Sequence, residues 1–178
     1  MPIDTAILRA LDGTPKWLAP LALLGTYLGS YGGIFLLIGL YLLIFGRGPR
    51  RRAGAVILAA LLLVLIVVDL ALKPLVHRPR PFEVLGMHML IGPVPGGYSF
   101  PSGHTAAAFA GAVAFLRSAA RSSLGRIIPV VFALLVGWSR IYLGAHWPSD
   151  VLGGALIGIL LGYLAARYVP TSFLGGAD

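Results

Sequence analysis

Long apolar runs without a charged residue constrain this chain more than any other feature. The stretch from Trp17 to Gly46 contains 30 residues and no Asp, Glu, Lys or Arg. Of the 178 residues, 58% are hydrophobic and 11% are charged, whereas about a quarter of the residues in a soluble domain are charged. Such a chain cannot cover its surface with polar groups, so the sequence predicts a membrane protein. Because it contains no cysteine, disulfides and thiolate chemistry are excluded.

The apolar runs predict an all-α, polytopic transmembrane helix bundle of about five to six membrane helices. One span needs about 20 residues, so the 30-residue run is too long for a simple span, and its glycines at positions 29–33 are expected to break it. We expect Trp17–Ser30 to form an interfacial or re-entrant helix or a weak span. The other predicted spans are Tyr31–Phe45, Ala53–Leu72, Gly103–Leu116, Ile127–Tyr142 and Val151–Ala166. Residues 1–178 are expected to form one domain, with 1–30 as an N-terminal interfacial or re-entrant segment.

The positive charge divides into two groups along the chain. There are 14 Lys and Arg against 6 Asp and Glu, a formal net charge of +8. If the spans alternate, one side of the membrane receives Arg47, Arg50, Arg51, Arg52, Arg117, Arg121, Arg126 and Arg167. The positive-inside rule assigns that side to the cytoplasm, so topology explains this charge better than nucleic-acid binding does.

Four further cations lie on or next to the opposite connections, against the positive-inside trend. They are Lys73, Arg78, Arg80 and Arg140. Charges near membrane depth are costly and therefore suggest function. For Arg78 two interpretations stay open, namely a functional role and a side chain that reaches the lipid headgroups.

Three polar clusters lie at the ends of predicted spans on the outer face. The first, Lys73–Pro81, contains Lys-x6-Arg-Pro. The second, at residues 101–104, is Pro-Ser-Gly-His, and the third, Ser139–Asp150, contains Ser-Arg-x5-His-x3-Asp. Because these connections share one face, we expect residues 73–150 to hold a common site.

The residue types in these clusters suit phosphoryl transfer. That reaction needs positive groups around the phosphoryl oxygens, an in-line nucleophile and an acid for the leaving oxygen. Lys73, Arg80 and Arg140 supply cations, two of them guanidinium groups that match phosphate geometry. Ser102 and Gly103 lie where a helix is expected to begin, so free backbone N–H groups would add anion affinity.

The spacing of His146 and Asp150 suggests an oriented nucleophile. Residues four apart lie one turn apart on a helix, so the Asp150 carboxylate is expected to hold an imidazole N–H of His146. The other ring nitrogen would then be free to attack phosphorus.

Together the three motifs resemble the signature of the type 2 phosphatidic acid phosphatase superfamily, whose members include membrane lipid phosphatases and soluble vanadium haloperoxidases. The resemblance implies that His146 is the nucleophile, Asp150 its orienting carboxylate and His104 the general acid. It also implies a phosphohistidine intermediate on His146, with no metal and no other cofactor. The phosphate-binding residues that it implies are Lys73, Arg80, Ser102, Gly103 and Arg140.

The hydrophobic chain favours the lipid phosphatase branch over the soluble oxidases. We therefore expect a multi-pass enzyme of a bacterial cytoplasmic membrane, with membrane lipids as surroundings, a lipid phosphate as substrate and an extracytoplasmic active site. Small bacterial members commonly act on undecaprenyl diphosphate, which is the expected substrate. Phosphatidylglycerophosphate, phosphatidate and lipid A phosphate are alternatives. An anion transporter is a remote alternative, because such proteins tend to contain repeats and none is detectable here.

The remaining polar and aromatic residues have structural interpretations. Asp69 precedes Lys73 by four residues, which predicts an ion pair within the helix. His77 and His88 are interpreted as polar anchors at the membrane interface. Interfacial belt positions are assigned to Trp17, Trp138 and Trp147, and lining of the site is the alternative for Trp147. The connection Phe82–Phe100 is long for a loop without structure, so it is either a lid over the headgroup or a passive connector.

Overall fold

Backbone polar groups find no water inside a bilayer, so an apolar chain satisfies them within helices. The computed structural model describes residues 2–11, 15–86, 96–120 and 122–170, and in these ranges every regular element is helical. The α-helices are α1 (Pro2–Leu11), α2 (Ala19–Gly29), α3 (Gly33–Phe45), α4 (Pro49–Val64), α5 (Lys73–Val76), α6 (Pro81–Leu85), α7 (Gly103–Ser118), α8 (Ser123–Tyr142) and α9 (Pro148–Tyr168). The π-helical stretch Leu65–Leu72 joins α4 to α5.

Four helical segments of the described residues are long and apolar enough to cross a membrane. They are Lys16–Phe45, Pro49–Leu85, Ser123–Tyr142 and Pro148–Tyr168. This confirms a polytopic helix bundle, but the number of such segments is smaller than the expected five to six. Two predicted elements, Trp17–Ser30 and Tyr31–Phe45, belong to one segment. The predicted third span is the 16-residue helix α7.

The glycine-rich break at positions 29–33 bends the first segment without reversing it. A 3₁₀ turn covers Ser30–Gly32, and Gly32 has a left-handed backbone with φ +70°, a conformation that glycine adopts readily. A Cβ at Gly25 would contact Leu135 of α8. Further along, the ring of Phe35 lies where a Cβ of Gly111 on α7 would be. The segment thus passes from α8 to the middle of α7 instead of turning back, in contrast to a re-entrant hairpin.

Helix α7 lies at the centre of the bundle and contacts α4, α8 and α9. Its buried residues are almost all small: Thr105, Ala106, Ala107, Ala108, Ala110, Gly111, Ala112 and Ala114. Because protein surrounds this helix, small side chains that allow close packing replace the long apolar ones that face lipid. This explains why its hydropathy is modest.

The contact between α7 and α9 is made through a row of glycines. Gly154, Gly158 and Gly162 recur every four residues on α9. A Cβ at Gly154 would lie 2.6 Å from the Ser102 carbonyl oxygen, and one at Gly158 would collide with the Ala106 carbonyl. The two backbones therefore approach as closely as glycine permits, which fixes the start of α7 against the start of α9.

The two ends of the bundle differ in charge and in content. The starts of α7 and α9 and the ends of α5 and α8 share one end, which carries the predicted motifs. At the other end Arg52 donates to the carbonyl oxygens of Ala166 and Val169, at 3.2 and 2.9 Å. The described arginines predicted to determine topology lie at or near that end, whereas Arg121 lies outside the described residues.

Replacing Gly158 by Ala should destabilise the bundle. An added methyl group in a helix normally favours folding, but here it would collide with backbone, and overpacking typically costs about 1–3 kcal/mol. We expect a lower unfolding temperature of the protein in detergent, whereas Leu156→Ala should have less effect, because Leu156 is 60% exposed on the same helix. An unchanged unfolding temperature in Gly158→Ala would contradict the close contact.

Candidate active site

The three motifs surround one cavity of about 470 Å³ at the motif-bearing end of the bundle. The predicted site residues that line it are Lys73, Arg80, Gly103, His104, Arg140 and His146. Ser102 and Asp150 are completely buried beside it. The structure therefore brings all eight predicted site residues together, six on the cavity wall and two behind it.

The orientation of His146 is set by a backbone carbonyl. Its Nδ1 lies 2.8 Å from the Ser99 carbonyl oxygen, and because a carbonyl only accepts, Nδ1 carries the proton. Its unprotonated Nε2 accepts a hydrogen bond from Nη1 of Arg80 at 3.2 Å, and the ring lines the cavity. The Asp150 Oδ2 lies 3.6 Å from Nδ1, too far for a hydrogen bond. The predicted partnership with Asp150 is therefore electrostatic, and the direct hydrogen bond goes to Ser99.

Burial keeps the His146 imidazole neutral. It lowers the pKa of His146 from 6.5 to about 4, in the same direction as the positive charges of Arg80 and Arg140, while Asp150 opposes the shift. At neutral pH the ring is therefore uncharged, with Nε2 unprotonated.

Asp150 accepts hydrogen bonds at both carboxylate oxygens. Oδ1 accepts from Nη1 of Arg78. Oδ2 accepts from the Ser99 hydroxyl and, at 2.9 Å, from the Trp147 backbone N–H, which places the carboxylate at the start of α9. Since Ser99 also accepts from His146, Asp150 and His146 are connected through that one residue.

The Arg80 guanidinium is 3% exposed and is held by carbonyl oxygens. Nη1 donates to Ala145 at 2.9 Å, Nε to Gly97 at 2.9 Å and Nη2 to Gly96 at 3.0 Å. These bonds compensate the cost of burying the charge. They also fix the end of the long connection after α6 against the cavity.

Lys73 pairs with Asp69, which confirms the predicted ion pair. Both residues line the cavity. A Cβ at Gly103 would lie 3.1 Å from the Lys73 Nζ, so a residue with a side chain would crowd the ammonium group. The start of α7 thus approaches Lys73 closely because position 103 is glycine.

Ser102 begins α7 and joins it to α9. Its backbone N–H donates to the Asp150 carbonyl oxygen at 3.0 Å. Its side chain accepts from Thr105 N–H at 3.5 Å and lies 2.9 Å from the Thr105 hydroxyl, as expected for a residue that caps a helix.

Arg140 is held from α2. Its Nη1 donates to the Thr26 hydroxyl at 2.8 Å, and that hydroxyl lies 3.1 Å from the Ser139 hydroxyl. The Arg140 Nε is buried and has no hydrogen-bond partner among the described residues. Arg140 itself lines the cavity.

His104 contacts Ser30, the residue that follows α2. The Ser30 hydroxyl donates to the Thr26 carbonyl oxygen at 2.9 Å and lies 3.3 Å from Nε2 of His104. Because its proton is already used, Ser30 accepts there, which places a proton on Nε2 of His104.

Comparisons with known proteins identify the family that this chain is similar to. Residues 52–174 match the sequence profile described as the PAP2 superfamily. The chain is 31% identical over 147 residues to an undecaprenyl-diphosphatase of Sulfolobus acidocaldarius, covering 82% of this chain and 69% of that protein. It is 32% identical over 167 residues to the undecaprenyl-diphosphatase BcrC of Bacillus subtilis, covering 91% and 82%.

The chain belongs to the PAP2 superfamily. It also resembles the crystal structure of a transmembrane PAP2-type phosphatidylglycerolphosphate phosphatase from Bacillus subtilis, with a TM-score of 0.74, 28% identity, and 94% of this chain and 84% of that chain covered. The protein is therefore a membrane hydrolase of the PAP2 superfamily, as the motifs predict.

Several contact residues of this PAP2 phosphatase were not predicted from the sequence. Thr26 and Ser30 each contact a motif residue through a hydroxyl oxygen, and Ser99 contacts two of them, one through its carbonyl and one through its hydroxyl. Such contacts between distant positions leave no pattern in the sequence. The sequence is compatible with two roles for Arg78, and its ion pair with Asp150 favours function over contact with lipid headgroups.

The structure also shows the surroundings of Trp147 and His77, two residues for which the sequence suggests structural roles. Trp147 is 1% exposed and donates to the Pro79 carbonyl at 2.9 Å, so its assignment to an interfacial belt is wrong. His77 is exposed and packs against the ring of Tyr98, with 4.2 Å between centroids. His88 and the middle of the 82–100 connection lie outside the described residues.

The lowered pKa of His146 predicts that this enzyme loses stability in mild acid. Between the folded pKa of about 4 and the ordinary value of 6.5, the unfolded chain binds the proton more readily, so stability falls as pH falls through this range. His146→Gln removes this titration and should therefore show a smaller drop in unfolding temperature between pH 7.5 and pH 5.

His77→Gln is the matched control for this comparison. It removes an exposed histidine and should show the same drop as the wild type. Equal drops in wild type and His146→Gln would contradict the burial of a neutral imidazole.

Proposed function

We propose that the protein is a lipid diphosphatase that hydrolyses undecaprenyl diphosphate to undecaprenyl phosphate and inorganic phosphate through a phosphohistidine on His146. The observation that carries this proposal is the composition of the cavity. One end has three cations and two histidines, and the other end is lined by apolar side chains. A ligand that fits both ends is an amphiphile with an anionic phosphate headgroup.

The apolar end of the cavity supports a lipid tail. Its leucines come from α3, α4 and the π-helical stretch: Leu36, Leu58, Leu61, Leu62 and Leu65. Leu62 and Leu65 are 55% and 45% exposed on a surface that would face lipid. A tail would therefore reach the cavity sideways from the bilayer while the headgroup enters among the cations.

The first chemical step uses the unprotonated nitrogen of His146, whose lone pair exchanges the hydrogen bond from Arg80 for a bond to phosphorus. Nε2 attacks the terminal phosphorus, the bond from phosphorus to the bridging oxygen breaks, and the departing lipid phosphate takes the bond electrons. Arg80 Nη1, 3.2 Å from Nε2, is within reach of the phosphoryl oxygens in this step. As the ring becomes positively charged in the intermediate, the Asp150 carboxylate at 3.6 Å stabilises it.

His104 would act as general acid for the leaving group and then as general base for water. In the first step the imidazolium form of His104 gives the proton of its other ring nitrogen, Nδ1, to the departing oxygen, and Nδ1 then takes a proton from the attacking water. The water oxygen attacks the phosphohistidine, the bond between phosphorus and Nε2 breaks, and inorganic phosphate leaves. Ser30 holds the Nε2 side of this ring throughout.

The cavity charges favour an anion over a divalent cation. The two carboxylates nearest to it are already paired, Asp69 with Lys73 and Asp150 with Arg78. Arg80 and Arg140 remain as positive charges on the wall. Lys73, Arg80 and Arg140, with the backbone at Ser102 and Gly103, are therefore proposed to stabilise the phosphoryl group without a metal.

The choice of lipid rests on the relatives and on charge. The two relatives described above are named undecaprenyl-diphosphatases, and three cations suit a diphosphate. The structural neighbour is a phosphatidylglycerolphosphate phosphatase, so this lipid is the second candidate, ahead of phosphatidate and lipid A phosphate. We place the site on the extracytoplasmic side of the membrane, because the opposite end of the bundle carries the arginines that the positive-inside rule assigns to the cytoplasm.

His146→Ala should remove turnover. With undecaprenyl diphosphate in detergent and EDTA, we expect kcat to fall by at least about a thousandfold, because the nucleophile is lost. Quenching with SDS at alkaline pH, with a substrate labelled in the terminal phosphate, should trap acid-labile, base-stable phosphate on the wild type only.

His77→Ala is the control, since the exposed His77 ring lies outside the cavity lining, and it should keep the wild-type rate. Substantial turnover by His146→Ala would contradict the nucleophile. Loss of wild-type activity in EDTA would contradict the metal-free step.

Leu65→Trp should distinguish the contribution of the lipid tail to kcat/KM from that of the headgroup. A larger side chain on the cavity wall should lower kcat/KM for undecaprenyl diphosphate by roughly tenfold, a typical effect of a pocket contact. Turnover of a short-chain, water-soluble diphosphate should hardly change. Leu70→Trp, at a position 66% exposed on the same segment and outside the cavity lining, should affect neither substrate.

The same assay compares the candidate lipids. The wild type should give its highest kcat/KM with undecaprenyl diphosphate, and a higher value with phosphatidylglycerophosphate would replace the first candidate by the second. Equal losses with long-chain and short-chain substrates in Leu65→Trp would contradict the tail path.

A further inference from the structure

We infer that α1 is part of the catalytic assembly, with Asp4 as a positioning residue that holds Arg78 against Asp150 and thereby orients His146. This inference rests on the proposed function, in which His146 is the nucleophile. Helix α1 lies outside residues 52–174, the part of the chain that matches the PAP2 profile.

Asp4 contacts residues from two motifs. Its Oδ2 accepts from Nη2 of Arg78 at 2.7 Å and from the Ser149 hydroxyl at 2.6 Å. Its Oδ1 accepts from the Ser149 backbone N–H at 2.9 Å. One carboxylate thus connects the loop after α5 with the first turn of α9.

The burial of Asp4 is not explained by anchoring of α1 at a membrane surface. Ile3 and Ile7 are 76% and 40% exposed and would suffice for contact with lipid. Asp4 and Leu8 are the buried residues of this helix. A buried carboxylate is costly unless partners satisfy it, so the three hydrogen bonds point to a specific docking position.

Arg78 lies between two carboxylates. Its Nη2 donates to Asp4, its Nη1 donates to Asp150 and, at 2.7 Å, to the Ser149 hydroxyl. Its guanidinium also lies over the Trp147 ring, 5.4 Å from the centroid. Because the guanidinium is planar and rigid, fixing Nη2 on Asp4 sets the direction from which Nη1 reaches Asp150.

The charges at the start of α9 are balanced by this arrangement. Two carboxylates, Asp4 and Asp150, lie at the positive end of the helix dipole with the Arg78 charge between them. Burial acts to raise the pKa of Asp4, but hydrogen bonds from Ser149 and Arg78 outweigh it and the pKa is lowered. Asp4 is therefore ionised at neutral pH.

The chain of contacts ends at the nucleophile. Arg78 holds one oxygen of Asp150, and the other oxygen accepts from the Ser99 hydroxyl. The Ser99 carbonyl in turn accepts from Nδ1 of His146. Asp4 does not line the cavity, so its loss should impair the attack by His146 more than the binding of phosphate.

The test compares Asp4→Asn with Arg9→Gln in the full chain in detergent, with undecaprenyl diphosphate as substrate. Arg9 is an exposed charge on the same helix. We expect Asp4→Asn to lower kcat by about ten- to hundredfold, as small displacements of a nucleophile do, with KM within about twofold of the wild type. Arg9→Gln should keep both constants, and Asp4→Glu, which preserves the charge, should retain more kcat than Asp4→Asn.

A double variant tests the route through Arg78. If Asp4 acts through Arg78, Asp4→Asn combined with Arg78→Gln should lose no more kcat than Arg78→Gln alone, whereas independent effects would multiply. If Asp4→Asn does not fold, Asp4→Glu combined with Arg78→Gln replaces it in this comparison.

Three results would overturn the inference: a wild-type kcat in Asp4→Asn, equal losses in Arg9→Gln, or multiplying losses in the double variant. Failure of the proposed function is distinguishable. It would appear as a wild type without diphosphatase activity or as an active His146→Ala, whereas failure of the inference leaves an active wild type and an inactive His146→Ala.

Discussion

The close backbone contact between α7 and α9 is the interaction on which the rest of the structure depends. Glycines on α9 meet the Ser102 and Ala106 carbonyl oxygens at distances that exclude a Cβ. At the end of this contact the Ser102 N–H donates to the Asp150 carbonyl. Two motifs that are far apart in sequence are thereby held with the precision of backbone packing, which a phosphoryl-transfer site requires.

The cations around this contact fall into two sets, which differ in what neutralises them. Two acids pair with one set of cations, the partly exposed Asp69 with Lys73 and the buried Asp150 with Arg78. Arg80 is satisfied by carbonyl oxygens instead of a carboxylate, so its positive charge is not cancelled. Removing charges from water is costly, and here carbonyl dipoles offset that cost. The site therefore remains positively charged, and an anionic headgroup completes its electrostatics.

From the sequence, the placement of the three motifs at one end of the bundle can be predicted better than the individual contacts that their residues make. Alternating spans place Lys73, His104 and His146 at one end of the bundle, and the spacing of Asp69 and Lys73 identifies their ion pair. The number of spans differs because a left-handed Gly32 bends the first segment, and a break in hydropathy does not reveal whether a helix bends or reverses. The Ser99 carbonyl that orients His146 could not be predicted, because a backbone contact 47 residues away depends on tertiary packing.

Residues before position 52, where the match to the PAP2 superfamily begins, contact the site. These contacts also hold the N-terminal segment in place. Thr26 contacts Arg140, Ser30 contacts His104, and Asp4 contacts Arg78, so each reaches a different part of the motif-bearing region. A hydroxyl or carboxylate at a buried contact is stable only where its partners are positioned to satisfy it. The same bonds that orient the motif residues therefore dock α1 and α2 on the bundle. An amphipathic N-terminal segment that anchored the protein to lipid would need none of these three contacts, and all three face the site.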